Sequence, residues 1–148
     1  MENNSIEIKL DNKLIQNKLL DIAKKTENLR PLMKNLAGIL SFSTEENFKE
    51  EGRPKWKEWS ESTKKYRKKV KKYPGQILQL NGNLASSVTT YYDDNSAVIG
   101  SNLPYAAIHQ LGGKAGKKKK VNIPARPYIN LSESDQNEIL DVISTYII

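Results

Sequence analysis

The sequence predicts an α+β domain: N-terminal helices packed on a small, mostly antiparallel β-sheet, a short helix after the hairpin, and a C-terminal helix. Three observations carry that expectation. Ile15, Leu19, Ile22, Leu29, Met33, Leu36 and Leu40 keep the three-and-four spacing of amphipathic helices. LASSVTTYY, residues 84–92, is rich in Val, Thr and Tyr, and the turn cluster DDNS then leads into the apolar run AVIG. Ser132, with Asp135 three residues on, has the form of a capping pair ahead of Ile139, Leu140, Ile143 and Ile147. At 148 residues the length suits one domain, residues 1–148, with a core of its own.

Each element follows in order. IEIKL, residues 6–10, alternates apolar and polar and reads as a short strand. Asp11 is placed to cap a helix over 11–29. Pro31 opens a second helix, 31–50, because proline is tolerated in a first turn and not mid-helix. Gly52 and Pro54 end it, and a long basic excursion over 53–75 follows, closed by Pro74 and Gly75. Trp56 and Trp59 are expected to pin the base of that excursion while its lysines face water, with a helical turn or two around Ser62–Lys71. Strands near 84–92 and 97–100 form the hairpin. Pro104 and Gly112 bracket a short helix over 104–111. A second basic excursion occupies 113–120, and VNIPARPYINL, 121–131, is extended because each proline pushes its predecessor out of the helical region.

Composition excludes several classes. The chain has no cysteine, hence neither disulfide framework nor thiolate metal site. No run approaches the ~18–20 apolar residues of a membrane span. MENNSIEIKL lacks the basic-then-apolar layout of a signal peptide, so a cytosolic origin is expected. The net charge of +7 is concentrated: residues 53–72 carry ten Lys/Arg against two Glu, and residues 114–120 add five lysines. Such density suits a polyanion or an acidic protein surface, and equally suits loops that are simply solvated.

Catalytic chemistry is sought and not found. His109 is the single histidine. No G-x-S-x-G frames a serine to partner it, and GGKAGK lacks phosphate-loop spacing. Asp93 and Asp94 fall in a turn, where acids are ordinarily solvated. The expectation is therefore no catalytic residue, no metal and no cofactor, with His109 bonded to backbone or packed on an aromatic. YRKKVKKY, which sets bases between Tyr66 and Tyr73, keeps open a second reading as a basic nucleic-acid-binding protein, sequence-blind and salt-sensitive.

Four stretches, taken in order, carry a resemblance: FKEEGRPKWKEWSESTKKYR (48–67), ILQLNGNLASSV (77–88), VIGSNLPYAAIHQLGG (98–113) and VNIPARPYINLSESD (121–135). Together they resemble the phage virion morphogenesis family, the Mu G-like tail-completion proteins. The resemblance implies a non-enzymatic structural protein of a phage or prophage virion. It would act in tail completion and head-tail joining at the head-proximal end of the tail, beside tail-tube and head-tail connector proteins. A homo-oligomeric ring with the tube's six-fold symmetry, and non-specific proximity to DNA, are further implications. The motif positions then read as structural: Gly82 and Leu84 where the strand starts; Tyr105, His109, Gln110 and Gly112 in the short helix and its exit; Pro124, Ala125, Arg126 and Pro127 in the return segment. The basic segments become assembly arms or polyanion contacts, through Lys64, Lys65, Arg67, Lys68 and Lys69 and through Lys117, Lys118, Lys119 and Lys120.

Overall fold

The computed structural model describes residues 12–146, so the strand expected at 6–10, the Asp11 cap and Ile147 lie outside the described residues. Within that span there are six α-helices and two separate two-stranded antiparallel sheets, an α+β fold closed by a C-terminal helix. The single small sheet expected from sequence is thus two hairpins.

Helix α1 runs Lys13–Lys25 and is capped by Asn12, whose side chain accepts from Ile15 N at 3.1 Å. Helix α2 spans Arg30–Lys49 with Pro31 in its first turn, as the sequence predicts. Its 20 residues make a rod of about 30 Å, which serves both ends of the molecule. The N-terminal half buries Leu32, Met33, Leu36 and Ile39 against α1 and against helix α6, Glu133–Tyr146. The C-terminal half delivers Phe48 to a second cluster with Trp56, Ile77, Leu84, Ala106 and Tyr128. Reciprocal bonds between Ser132 and Asp135 start α6: Asp135 N donates to Ser132 Oγ at 3.1 Å, and Ser132 N to Asp135 Oδ2 at 3.0 Å. The capping pair read from the sequence is real.

Helix α3, Glu61–Lys69, lies inside the first basic excursion and is capped by Ser60. The region read as one strand over 84–92 divides. Residues Asn83–Ser87 form a short helix, α4, and only Thr89–Tyr92 is strand, β1. Gly82 and Leu84 therefore start a helical turn, not a strand. Gly82 adopts φ 72°, a left-handed conformation that glycine reaches without steric cost, and Ser86 N bonds its carbonyl at 3.0 Å. Strand propensity takes over at the Thr-Thr-Tyr-Tyr run. β1 pairs with β2, Ala97–Gly100, from Thr89 opposite Gly100 to Tyr92 opposite Ala97. Asp93 closes the turn by accepting from Asn95 N and Ser96 N at 2.8 and 2.7 Å.

Helix α5 is shorter than the bracketing proline and glycine suggest, Ala106–Leu111. Strands β3, Gly113–Ala115, and β4, Val121–Ile123, pair antiparallel, and the lysine run forms a 3₁₀ turn at their tip. The second basic excursion is a hairpin.

Candidate assembly site

From Arg126 to Asn130 the chain bends at Tyr128 and Ile129, buries Arg126 and Tyr128, and belongs to neither sheet. Backbone groups there still need partners, since an unpaired buried amide or carbonyl is costly. Side chains supply most of them. Gln110 in α5 accepts from Tyr128 N and Ile129 N at 3.1 and 3.0 Å, and donates to Ile129 O at 2.8 Å. Trp56 Nε1 donates to Pro127 O at 3.0 Å. Asn47 Nδ2 donates to Tyr128 O at 2.8 Å and to Asn130 O at 2.9 Å. His109 contributes through its carbonyl, which accepts from Arg126 N at 2.8 Å. Pro127 itself has no amide hydrogen to satisfy.

Tyr128 fills the centre of this arrangement, fully buried, its ring stacked on Phe48 at 5.4 Å and its hydroxyl donating to Ala106 O at 2.7 Å. Burial pushes its pKa up to about 12. Arg126 closes the far side, donating through Nε to Lys57 O at 2.9 Å and Nη2 to Glu58 O at 3.0 Å. The I-P-A-R-P motif thus ties the return segment to the start of the basic excursion. Gly112 turns the chain at φ 74°, and a Cβ there would meet Ala125 N at 2.8 Å, so the helix exit has room only for glycine. Pro124 immediately precedes that contact, just beyond the end of β4.

Between the two apolar clusters lies a polar joint. Arg53 donates to Asp135 Oδ2 at 2.9 Å, to Ser43 O at 2.9 Å and to Asn47 Oδ1 at 2.7 Å. Ser43 Oγ donates to Asp135 Oδ2 at 2.6 Å, and Asn130 Nδ2 to Arg53 O at 3.0 Å. Burial alone would raise the Asp135 carboxyl. The bonds from Ser43, Ser132 and Arg53 outweigh it and hold the group below the ordinary carboxylate value.

Of the two alternatives expected for His109, the structure shows the aromatic one: the ring packs edge-on to Tyr105 at 6.0 Å, while Nδ1 is buried without a hydrogen-bond partner. Burial first, and the charge of Arg126 second, lower its pKa. The neighbouring Gln110 performs the clamping. Arg67 is not an outward-facing arm residue, being 5% exposed with its guanidinium over the Trp59 ring. Lys65, Lys68 and Lys69 do face water, as do Lys117, Lys118, Lys119 and Lys120, while Lys64 is half-buried beside Glu58 and Glu61. Among the described residues, no group of three or more His, Asp or Glu gathers at one point, and no helix is long and apolar enough to cross a membrane.

Matching against known families brings these pieces together: the phage virion morphogenesis family model aligns with residues 10–147. The chain belongs to that family. It is 41% identical over 142 residues to the Mu-like prophage FluMu G protein 2 of Haemophilus influenzae, covering 95% of each chain. It is 37% identical over 141 residues to the putative capsid assembly protein G of Escherichia phage Mu, covering 92% of this chain and 90% of that one. The Mu-like prophage FluMu G protein 1 of H. influenzae is 34% identical over 144 residues, covering 94% and 92%. No solved structure matches the chain. Membership in a virion morphogenesis family implies interaction with other virion proteins.

Sequence reasoning missed the Ser43–Asn47–Arg53 joint. A pointer was present: Leu36, Leu40, Ser43 and Asn47 continue the three-and-four spacing, which puts both polar residues on the buried stripe of α2. Charge density groups Arg53 with the basic excursion, whereas its side chain belongs to the interior joint.

Proposed function

We propose that this family member is a structural, non-catalytic subunit that completes the tail and joins it to the head at the head-proximal end. The observation that carries the reading is how the motif residues are spent. Gln110, Gly112, Arg126 and Trp56 close the chain on itself, while Lys65, Lys68 and Lys69 of α3 and the lysines of the β3–β4 tip are exposed. Such a molecule is a scaffold presenting positive charge. Acidic surfaces of tail-tube and connector proteins, or of neighbouring copies in a six-fold ring, are its partners. A relative described as a capsid assembly protein supports a place that touches the head as well as the tail, and a junction does both.

The test is to inactivate the chain in the phage or prophage that encodes it and image the particles. Filled heads beside separate, normal-length tails are expected. Complete joined particles would overturn the proposal. The exposed lysine tip also favours a second reading, a basic nucleic-acid-binding protein. On the assembly reading, DNA affinity is sequence-blind and steeply salt-dependent, on the order of 10⁻⁴ to 10⁻⁶ M. Sequence-specific binding far tighter than that in physiological salt would favour the second.

A further inference from the structure

Arg67 stands apart from the other basic residues of α3. It is 5% exposed, with its guanidinium carbon 4.1 Å from the centroid of Trp59. Trp59 in turn meets Tyr73 at 5.9 Å, and Lys68 Nζ lies 4.8 Å from the Tyr73 ring. The guanidinium thus sits over the Trp59 ring. The five N–H donors of an arginine, however, lie in its edge.

Those donors are idle. Among the described residues Arg67 makes no side-chain hydrogen bond and no ion pair. The two other arginines of this region contrast sharply: Arg126 is held by two carbonyls, and Arg53 by Asp135, Ser43 and Asn47. Glu51 acts on Arg67 only from beyond ion-pair reach, and the nearby Arg126 adds like charge. Burying a charge without acceptors is expensive, so a guanidinium seated over a ring and left unmatched is organised for a counter-charge from outside.

There is also a way in. The only buried side-chain nitrogen or oxygen fully closed to solvent and unbonded, among the described residues, is His109 Nδ1, so the Arg67 nitrogens retain contact with the surface. Gly75 lies exposed beside Nη1, and a Cβ there would come within 2.9 Å of it and 3.1 Å of Lys72 O. Gly75 lies outside the left-handed region, so its backbone does not demand glycine; the missing side chain keeps the guanidinium edge uncovered.

We propose that Arg67 is a receptor for a carboxylate, an Asp or Glu side chain of a neighbouring virion protein, which enters past Gly75 and pairs with the guanidinium edge. A carboxylate matches that planar fork and sits at the end of a slender stem. A phosphodiester is flanked by sugars on both sides and cannot reach so recessed a group. The role in assembly rests on the virion reading above, whereas the carboxylate site itself does not.

The experiment titrates the isotope-labelled chain with acetate, following the Arg67 Nε–Hε resonance, and repeats the titration with inorganic phosphate. Acetate is expected to move that resonance saturably, with binding weakened by Gly75→Ala, which keeps every charge. Arg67→Met is expected to melt no lower than the native chain, because it removes an unmatched charge and retains apolar cover on Trp59. In the encoding phage, both variants are expected to reduce joined particles. An unmoved resonance, undiminished binding in Gly75→Ala, or preference for phosphate over acetate would overturn the carboxylate site. Acetate binding together with normal particles from Arg67→Met would overturn its part in assembly. The titration is read on the isolated chain, so its outcome is separate from whether the tail-completion reading survives.

Discussion

The two apolar clusters are built by different rules. The first joins Ile15, Ile22, Leu32, Met33, Leu36, Ile39, Ile139 and Ile143, all from helix faces whose backbone bonds are satisfied internally. The second gathers Phe48, Trp56, Ile77, Leu84, Ala106 and Tyr128, mostly from loops and short helices. Its return segment, residues 126–130, has no strand partner, so Gln110, Asn47 and Trp56 bond its backbone instead. Apolar periodicity is enough for the first cluster. The second needs particular polar residues at particular places, and that is where the Y-A-A-I-H-Q-L-G-G and I-P-A-R-P stretches fall.

The largest expected effects come from emptying either cluster. Tyr128→Ala should cost about 3–5 kcal/mol, and Leu32→Ala about 2–5 kcal/mol, both read by denaturant unfolding. The clusters part company when a ring is kept and only its hydroxyl removed. Tyr128→Phe should still cost about 1–3 kcal/mol, since the buried Ala106 carbonyl loses its donor. A neutral Tyr128→Phe would show that packing alone holds the second cluster.

Next comes the joint between them. Arg53→Ala should cost about 3 kcal/mol, because it strands the buried Asp135 carboxylate. The same pair sets an acid limit. Asp135 has a depressed folded pKa, so its contribution is present above the ordinary carboxylate value of about 3.9 and is lost as pH falls through the folded value. Acid titration of stability should show a smaller loss in Asp135→Asn than in the native chain; equal losses would contradict the assignment.

Gln110→Ala follows, at about 1–3 kcal/mol, from orphaning the amides of Tyr128 and Ile129. His109→Ala should cost less than Gln110→Ala, since its imidazole clamps nothing. If the order is reversed, the histidine and not the glutamine holds the return segment. His109 also sharpens the contrast through pH. Its folded pKa is lowered, so its contribution is present above the ordinary value of about 6.5 and is lost as pH falls through the folded value. Between about pH 7.5 and about pH 5 the melting temperature of the native chain should drop more than that of His109→Gln.

The sequence made the first cluster legible because a 3.6-residue repeat survives reading without coordinates. The Pro31 start of α2, the Ser132–Asp135 cap, the Asp93 turn and the tryptophans beneath the basic excursion were visible for similar local reasons. The second cluster was legible only as motif positions. Nothing in Y-A-A-I-H-Q-L-G-G tells the reader that Gln110 faces the return segment while His109 Nδ1 faces none, because that depends on where residues 126–130 come to lie. Leu84 lies in a helical turn although the sequence reads as strand there, because Val, Thr and Tyr downstream lend their preference to Leu-Ala-Ser-Ser. Arg53 and Arg67 are indistinguishable in sequence from their charged neighbours, since charge density along a chain says nothing of which cation turns inward.

The smallest expected effect on the fold is also the most direct test of the whole account, in which motif residues build a scaffold and lysines at its surface do the joining. Replacing Lys117, Lys118, Lys119 and Lys120 by serine changes exposed side chains at a hairpin tip, so stability should move by no more than about 0.5 kcal/mol. Particles made with this variant, imaged by electron microscopy, should contain the folded protein yet show heads and tails left apart. Normal numbers of joined particles from a stably folded, lysine-free tip would contradict the account.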